Sequence, residues 1–180
     1  MRNFLANLLI ILGIGFLLAS AFLVWQRYNP RRLAFDGINE IEFSGNKDGQ
    51  NAHPIALSIS DLEIYLPVVP ANNTGGKWET TTKGVSYLTS SANPGETGNS
   101  IFYGHNWNNL LGNLTRAVPG QVIEIIFSDG SQKRFVVTHT QEVTSSQTQI
   151  LNNSEDKRMT LYTCSGFLDT KRFVVTAEII

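Results

Sequence analysis

Between Phe4 and Trp25 the chain runs for 22 residues without a charge. As a helix rising 1.5 Å per residue, that stretch is about 33 Å long, enough to cross a hydrocarbon core of roughly 30 Å. Trp25 and Tyr28 fall where an aromatic belt would lie, and Arg27, Arg31 and Arg32 end the apolar run. The competing reading is a cleavable signal peptide, because Ala19-Ser20-Ala21 fits a small-x-small cleavage site. The run is long for such a segment, however, and the basic region before it is only Arg2. The sequence therefore predicts a membrane anchor over 4–25. Arg2 and the amino terminus precede it and three arginines follow, so local charge alone weakly favours a cytoplasmic C-terminal domain.

The remainder bounds what that domain can be. A chain of 180 residues has room for one domain and a tail. Lys and Arg total 14 against 15 Asp and Glu, a net charge of −1, which excludes an electrostatically driven nucleic-acid binder. A hydrophobic fraction of 42% excludes a disordered tail. One cysteine excludes a disulfide framework and a Cys-based zinc ribbon.

Residues 26–51, with Pro30 and glycines at 37, 45 and 49, have the composition of a stalk. Beyond them apolar residues alternate at period two between turn signals. Ile55, Leu57 and Ile59 alternate in one expected strand. Ile64 to Val69 forms another, with Pro67 limiting how central it can be. Residues 71–76 form a loop and Ala92-Asn93-Pro94-Gly95 a turn. Ser100 to Tyr103 is a short strand ending at Gly104, and Asn108 to Arg116 a short helix that Gly112 weakens. Gln121 to Phe127 and Lys133 to Val143 make a hairpin around Asp129-Gly130. Thr160 to Cys164 and Lys171 to Ile179 are the last two strands. Seven or eight short strands with one or two helical turns point to a closed or nearly closed β-barrel.

The last hairpin carries the chemistry. Phe173, Val175, Ala177 and Ile179 form an apolar face, so Arg172 lies on the opposite one. A loop over 165–171 would set Cys164 and Arg172 directly opposite, within about 5.5 Å at Cβ, whereas a one-residue slip would substitute Lys171. A cation beside a thiol favours the thiolate and can stabilise an oxyanion on an attacked carbonyl. Acyl transfer also needs an acid/base for the leaving amine, usually histidine. The three histidines are His53 before Pro54, His105 at a strand end, and His139 within Val137-Thr138-His139-Thr140. A lone cysteine is more often a small buried hydrophobe, and an arginine on a strand is more often solvated.

Thr160-Leu161-Tyr162-Thr163-Cys164 matches the TLxTC signature of sortases, the cysteine transpeptidases of bacterial cell surfaces. Arg172, followed by Phe173-Val174-Val175, sits where that family has its arginine. Tyr103-Gly104-His105-Asn106 resembles the segment carrying its histidine, with Pro119-Gly120 and Val122 following. The resemblance covers roughly residues 52–180 and the N-terminal anchor. It implies a mainly β fold, a single sortase-type eight-stranded β-barrel with one or two short helices over 52–180. A transmembrane helix would precede it, with residues 1–3 cytoplasmic and the barrel outside a bacterial membrane. Cys164 would attack the Thr–Gly carbonyl of an LPxTG-like signal, and His105 would protonate the departing amine. Arg172 would hold the oxyanion or position the peptide, and Thr163 could add a substrate hydrogen bond. The partners would be secreted proteins bearing such a signal and an amine acceptor, a cell-wall precursor or a pilin lysine.

The resemblance does not assign a subclass, because Asn106-Trp107-Asn108-Asn109 follows the histidine without the Arg or Asp of several sortase classes. No cofactor is expected; no acidic cluster suggests a calcium site. No long N-terminal lid of the pilin-sortase type is expected, because the stretch before Ile55 is short. Two other readings predict different behaviour. A hydrolytic cysteine endopeptidase would pass the same acyl group to water, and a non-catalytic anchored barrel would bind a surface ligand with an inert thiol.

Overall fold

The structure is a computed structural model that describes residues 2–27, 32–36, 52–74 and 77–180. Most of the expected stalk (28–31 and 37–51), with Tyr28, Arg31, Pro30 and its glycines, lies outside the described residues, as do Gly75 and Gly76 of the expected loop. The chain divides into two units, 1–30 and 31–180.

The first unit is a helix, α1 (Arg2–Arg27). Its stretch Phe4–Gln26 is long and apolar enough to span a membrane. Every side chain from Phe4 to Trp25 is exposed within the chain. Leu, Ile and Phe all round a helix suit a lipid solvent, not one face of a soluble core.

The second unit is built from β1 (Pro54–Ile59), β2 (Ile64–Ala71), β5 (Val85–Leu88), β6 (Gly98–Gly104), β7 (Val122–Phe127), β8 (Gln132–Thr144), β9 (Lys157–Ser165) and β10 (Lys171–Ile179). A two-stranded ribbon pairs β3 (Asn73–Thr74), within the expected 71–76 loop, with β4 (Lys77–Trp78), just after it. These eight strands close into a barrel in the order β1-β2-β5-β6-β9-β10-β8-β7, with β7 returning to β1. Closure removes the free sheet edges that would otherwise invite pairing with another chain. Two neighbours are parallel, β2 with β5 and β6 with β9. Parallel neighbours need crossover connections, and one of these carries the short helical segment Gly112–Arg116.

Period-two alternation sorts the side chains. Leu57, Ile59, Val85, Phe102, Ile123, Ile125, Phe135, Leu161 and Val175 make the interior cluster. Leu110, Leu111 and Leu114 pack onto it. They reach it through turns and a 3₁₀ segment rather than a helix over 108–116. Gly112 is the reason: its amide bonds the Trp107 carbonyl at 2.9 Å, and a Cβ there would stand 2.8 Å from that oxygen. The expected alternation of Ile55, Leu57 and Ile59 holds only in part. The register against β7 shifts between Pro54 and Ala56, so Ala56 is buried and Ile55 is exposed.

A second cluster forms on the outer face of the strands that carry Ile101, Tyr103, Tyr162, Cys164 and Val174. Leu33 and Phe35 complete it, and both are buried. Tyr103 and Tyr162 stack at 5.5 Å between centroids, with Trp78 edge-on to Tyr103 at 4.9 Å. This aromatic layer fixes the floor on which the candidate site stands.

Candidate active site

Three neighbouring strands bring the expected residues together. β9 and β10 pair antiparallel with Cys164 opposite Arg172 and Lys171 opposite Ser165. The hairpin loop is thus 166–170, shorter than expected but in the expected register. β6 runs parallel to β9 on its other side, with Gly104 beside Thr163. One step beyond that pair stand His105 and Cys164, at the same end of two adjacent strands. His53 lies just before β1, and His139 pairs with Thr176 on β8, both away from this end.

The loop after Cys164 turns back sharply. Gly166, Leu168 and Asp169 all have positive φ, at 74°, 54° and 59°. Left-handed backbone is costly for Leu by about 1–2 kcal/mol, while glycine and aspartate tolerate it better. The fold of this loop delivers Asp169 into the site. Its carboxylate takes a hydrogen bond from Asn106 Nδ2 at 3.2 Å and an ion pair from Arg32. Arg172 donates from Nη1 to the Asp169 and Lys171 carbonyls, each at 3.0 Å. Its Nε is buried without a hydrogen-bond partner.

Burial sets the charge states. Cys164 is 2% exposed, and loss of solvent pushes its thiol from 9.0 up to about 12, with Arg172 pulling the other way. Burial also lowers His105 below its ordinary 6.5, and the Asp169 carboxylate opposes that. At neutral pH the pair is therefore a thiol and a neutral imidazole, so the imidazole has a free lone pair to receive the thiol proton. His105 is held by its neighbours: its ring stacks on Trp107 at 4.6 Å with planes 12° apart, and its carbonyl accepts the Leu111 amide at 3.1 Å.

Thr163 is placed differently from the expected substrate contact. Its side chain is fully buried on the face opposite Cys164, and its hydroxyl donates to the Gly104 carbonyl at 2.8 Å. It ties β9 to β6 beside His105 and so positions the two strands relative to each other.

The sequence reading missed the group that covers the thiol. Residues 32–36, expected to be part of a stalk, lie across β9 and β10. Cys164 Sγ donates to the Arg32 carbonyl at 3.2 Å, Tyr162 Oη to that of Leu33 at 3.1 Å, and Arg172 Nη2 to that of Ala34 at 3.0 Å. Phe35 meets Tyr162 edge-on at 5.1 Å, and the Arg172 guanidinium lies 5.9 Å from its ring. These residues form a short strap over the thiol. Its sequence signal, Arg32 followed by Leu33-Ala34-Phe35, falls within the expected stalk, where a short apolar run carries no periodicity.

Among the described residues no cluster of His, Cys, Asp and Glu could hold a metal ion. The arrangement that is present, a thiol between a histidine and an arginine, can carry nucleophilic attack on a carbonyl.

A family model of the Sortase domain matches residues 57–180. No curated protein matches the sequence. Solved structures do. Sortase A of Listeria monocytogenes is 23% identical with a TM-score of 0.57, covering 71% of this chain and 87% of that one. A lid mutant of sortase A from Corynebacterium diphtheriae is 24% identical with a TM-score of 0.61, covering 75% of this chain and 74% of that one. Sortase C from Clostridium perfringens SM101 is 20% identical with a TM-score of 0.58, covering 69% and 68%. These neighbours share the fold and fall in both the A and the C classes. With the family model spanning more than half of its residues, the chain belongs to the sortase family.

Proposed function

We propose that this sortase is a membrane-anchored cysteine transpeptidase. It cleaves an LPxTG-like sorting signal between Thr and Gly and transfers the protein to an amine acceptor at the cell surface. The observation that carries this reading is the alignment of His105, Cys164 and Arg172 at one end of the adjacent strands β6, β9 and β10.

The chemistry follows from those groups. His105 takes the thiol proton, and the thiolate attacks the Thr carbonyl carbon. The carbonyl π pair moves onto oxygen, where Arg172 supplies a fixed positive charge and unused donor capacity. The tetrahedral species collapses, the C–N bond breaks, and the imidazolium gives its proton to the departing glycine amine. A thioester on Cys164 remains. The acceptor amine then loses its proton to His105 as it attacks the thioester, and the thiol returns. Asp169 and Asn106 position this constellation. Helix α1 anchors the enzyme, with the barrel on the outer side of the membrane.

The test is product analysis with the full-length chain in detergent micelles, wild type against Cys164→Ala. Each is incubated with a small LPxTG-type peptide library with and without triglycine, and products are read by mass spectrometry. The account expects a Cys164-dependent product cut after Thr and carrying triglycine. Cut peptide that never carries the amine would make the chain a hydrolase. Uncut peptide with an unreactive thiol would make it a binding module.

A further inference from the structure

His105, Asn106 and Trp107 leave the end of β6 with each residue fixed from a different direction. The His105 carbonyl accepts the Leu111 amide at 3.1 Å, and the Trp107 carbonyl accepts those of Leu110 and Gly112 at 2.8 and 2.9 Å. Asn106 Nδ2 donates to the Asp169 carboxylate at 3.2 Å. Side chains two positions apart on a strand stand roughly 7 Å apart. The turn brings these two rings face to face instead, with centroids 4.6 Å apart and planes 12° apart. Trp107 also packs against the interior cluster, so the indole is braced by the barrel.

The stack meets a difficulty in the chemistry. His105 is 5% exposed, and loss of solvent disfavours its cation. Yet an acid/base must pass through the imidazolium between taking the thiol proton and giving it to an amine. The titratable and charged groups around it offer limited help. On β9 Cys164 is a neutral thiol until it gives up its proton, and on β10, one strand further, Arg172 is a like charge. From the 166–170 loop Asp169 favours the imidazolium, but its carboxylate is shared with Arg32 and Asn106. The indole face adds an attraction for a cation within about 6 Å that neither titrates nor needs a hydrogen bond. A flat stack also leaves the two ring nitrogens clear of the indole, because they exchange protons in the plane of the imidazole. An aliphatic side chain would fill the same space without that attraction.

We propose that Trp107 is a positioning residue: its indole face fixes the plane of the His105 ring and stabilises the imidazolium through which the proton passes. The inference rests on the transpeptidase reading for the use made of that proton. It follows that position 107 requires an aromatic face and that apolar bulk alone does not suffice.

The first readout needs no substrate. The full-length chain in detergent micelles is prepared with isotope-labelled histidine, and the titration of each ring is followed by NMR, with His105→Gln identifying the His105 signal among the three. Trp107→Phe keeps an aromatic face, whereas Trp107→Leu keeps apolar bulk only. Removing the face removes a stabiliser of the cation, so the His105 midpoint should fall by roughly one pH unit in Trp107→Leu and by much less in Trp107→Phe. His53 and His139 should keep their midpoints in both. A His105 midpoint unmoved or raised in Trp107→Leu would overturn the proposal. A second readout uses the wild type and decides the matter if Trp107→Leu does not fold. An imidazolium quenches an indole on which it stacks, so tryptophan emission should fall on acidification with the midpoint of His105, and should not do so in His105→Gln. Emission that ignores the His105 titration would overturn the proposal. With an LPxTG-type peptide and triglycine, Trp107→Leu should lose about tenfold in kcat, most of it restored in Trp107→Phe. A kcat unchanged in Trp107→Leu would overturn the positioning role. A shifted midpoint in a chain that cuts no sorting peptide would keep the contact and overturn the transpeptidase reading instead.

Discussion

At the scale of single residues, two titrating groups in the site give opposite pH signatures. The Cys164 thiol is raised from 9.0 to about 12 in the folded chain, so the unfolded chain loses that proton first. Its contribution to stability is intact below pH 9.0 and is lost as the pH rises toward about 12. His105 is lowered below 6.5, so the unfolded chain takes up that proton first as the pH falls. Its contribution is present above pH 6.5 and is lost below. Thermal unfolding should be least sensitive to pH between those limits. Cys164→Ala should flatten the alkaline fall and His105→Gln the acid one. Slopes unchanged in both variants would contradict the burial of these groups. The opposition of Cys164 and Arg172 was legible in sequence because one hairpin with a five-residue loop contains both. The Arg32–Asp169 ion pair was not, since the two residues are 137 positions apart and nothing local announces a pair of that span. Tyr162 was visible as a residue of the signature but not as a donor, because its partner is the strap.

Among the elements, β5 was the strand that periodicity could not find. Val85 to Leu88 is four residues long and buried throughout, so it shows neither alternation nor length. Its parallel pairing with β2 brings the two strands unusually close: a Cβ on Gly84, just before β5, would lie 2.1 Å from the Pro67 carbonyl oxygen. Gly84→Ala should therefore destabilise the barrel by about 1–3 kcal/mol in urea unfolding, with an unchanged midpoint as the contrary result. The β6–β9 seam matters more for function. Thr163→Val removes the hydroxyl bond to Gly104 and should cost about 1 kcal/mol of stability. Because that seam carries His105 and Cys164 at the same end of β6 and β9, the rate of peptide cleavage should fall as well, and an unchanged cleavage rate would contradict the assignment. The β7–β8 hairpin was the easiest to foresee, because β7 alternates strictly and Asp129-Gly130 marks its turn, and the two crossovers that place β5 and β9 in the barrel were the hardest. Local alternation says which face a residue takes but not which strand lies beside it.

For the whole molecule, the two units answer to different solvents. A helix with every side chain from Phe4 to Trp25 exposed is long and apolar enough to cross a membrane, whereas the barrel buries its own apolar face. The full chain should remain with membranes through a carbonate wash, and protease added to intact cells should reach the barrel; release into the soluble fraction, or protection from protease, would contradict the proposed anchoring or its orientation. The central claim is that one cysteine carries the acyl group between donor and acceptor. The most direct measurement is the intact mass of the full-length chain after brief incubation with an LPxTG-type peptide and no amine. The account predicts a mass gain equal to the acyl fragment through Thr, located on Cys164 by peptide mapping, lost on adding hydroxylamine and absent from Cys164→Ala. A peptide that is cut with no adduct on Cys164, or cut equally by Cys164→Ala, would contradict it.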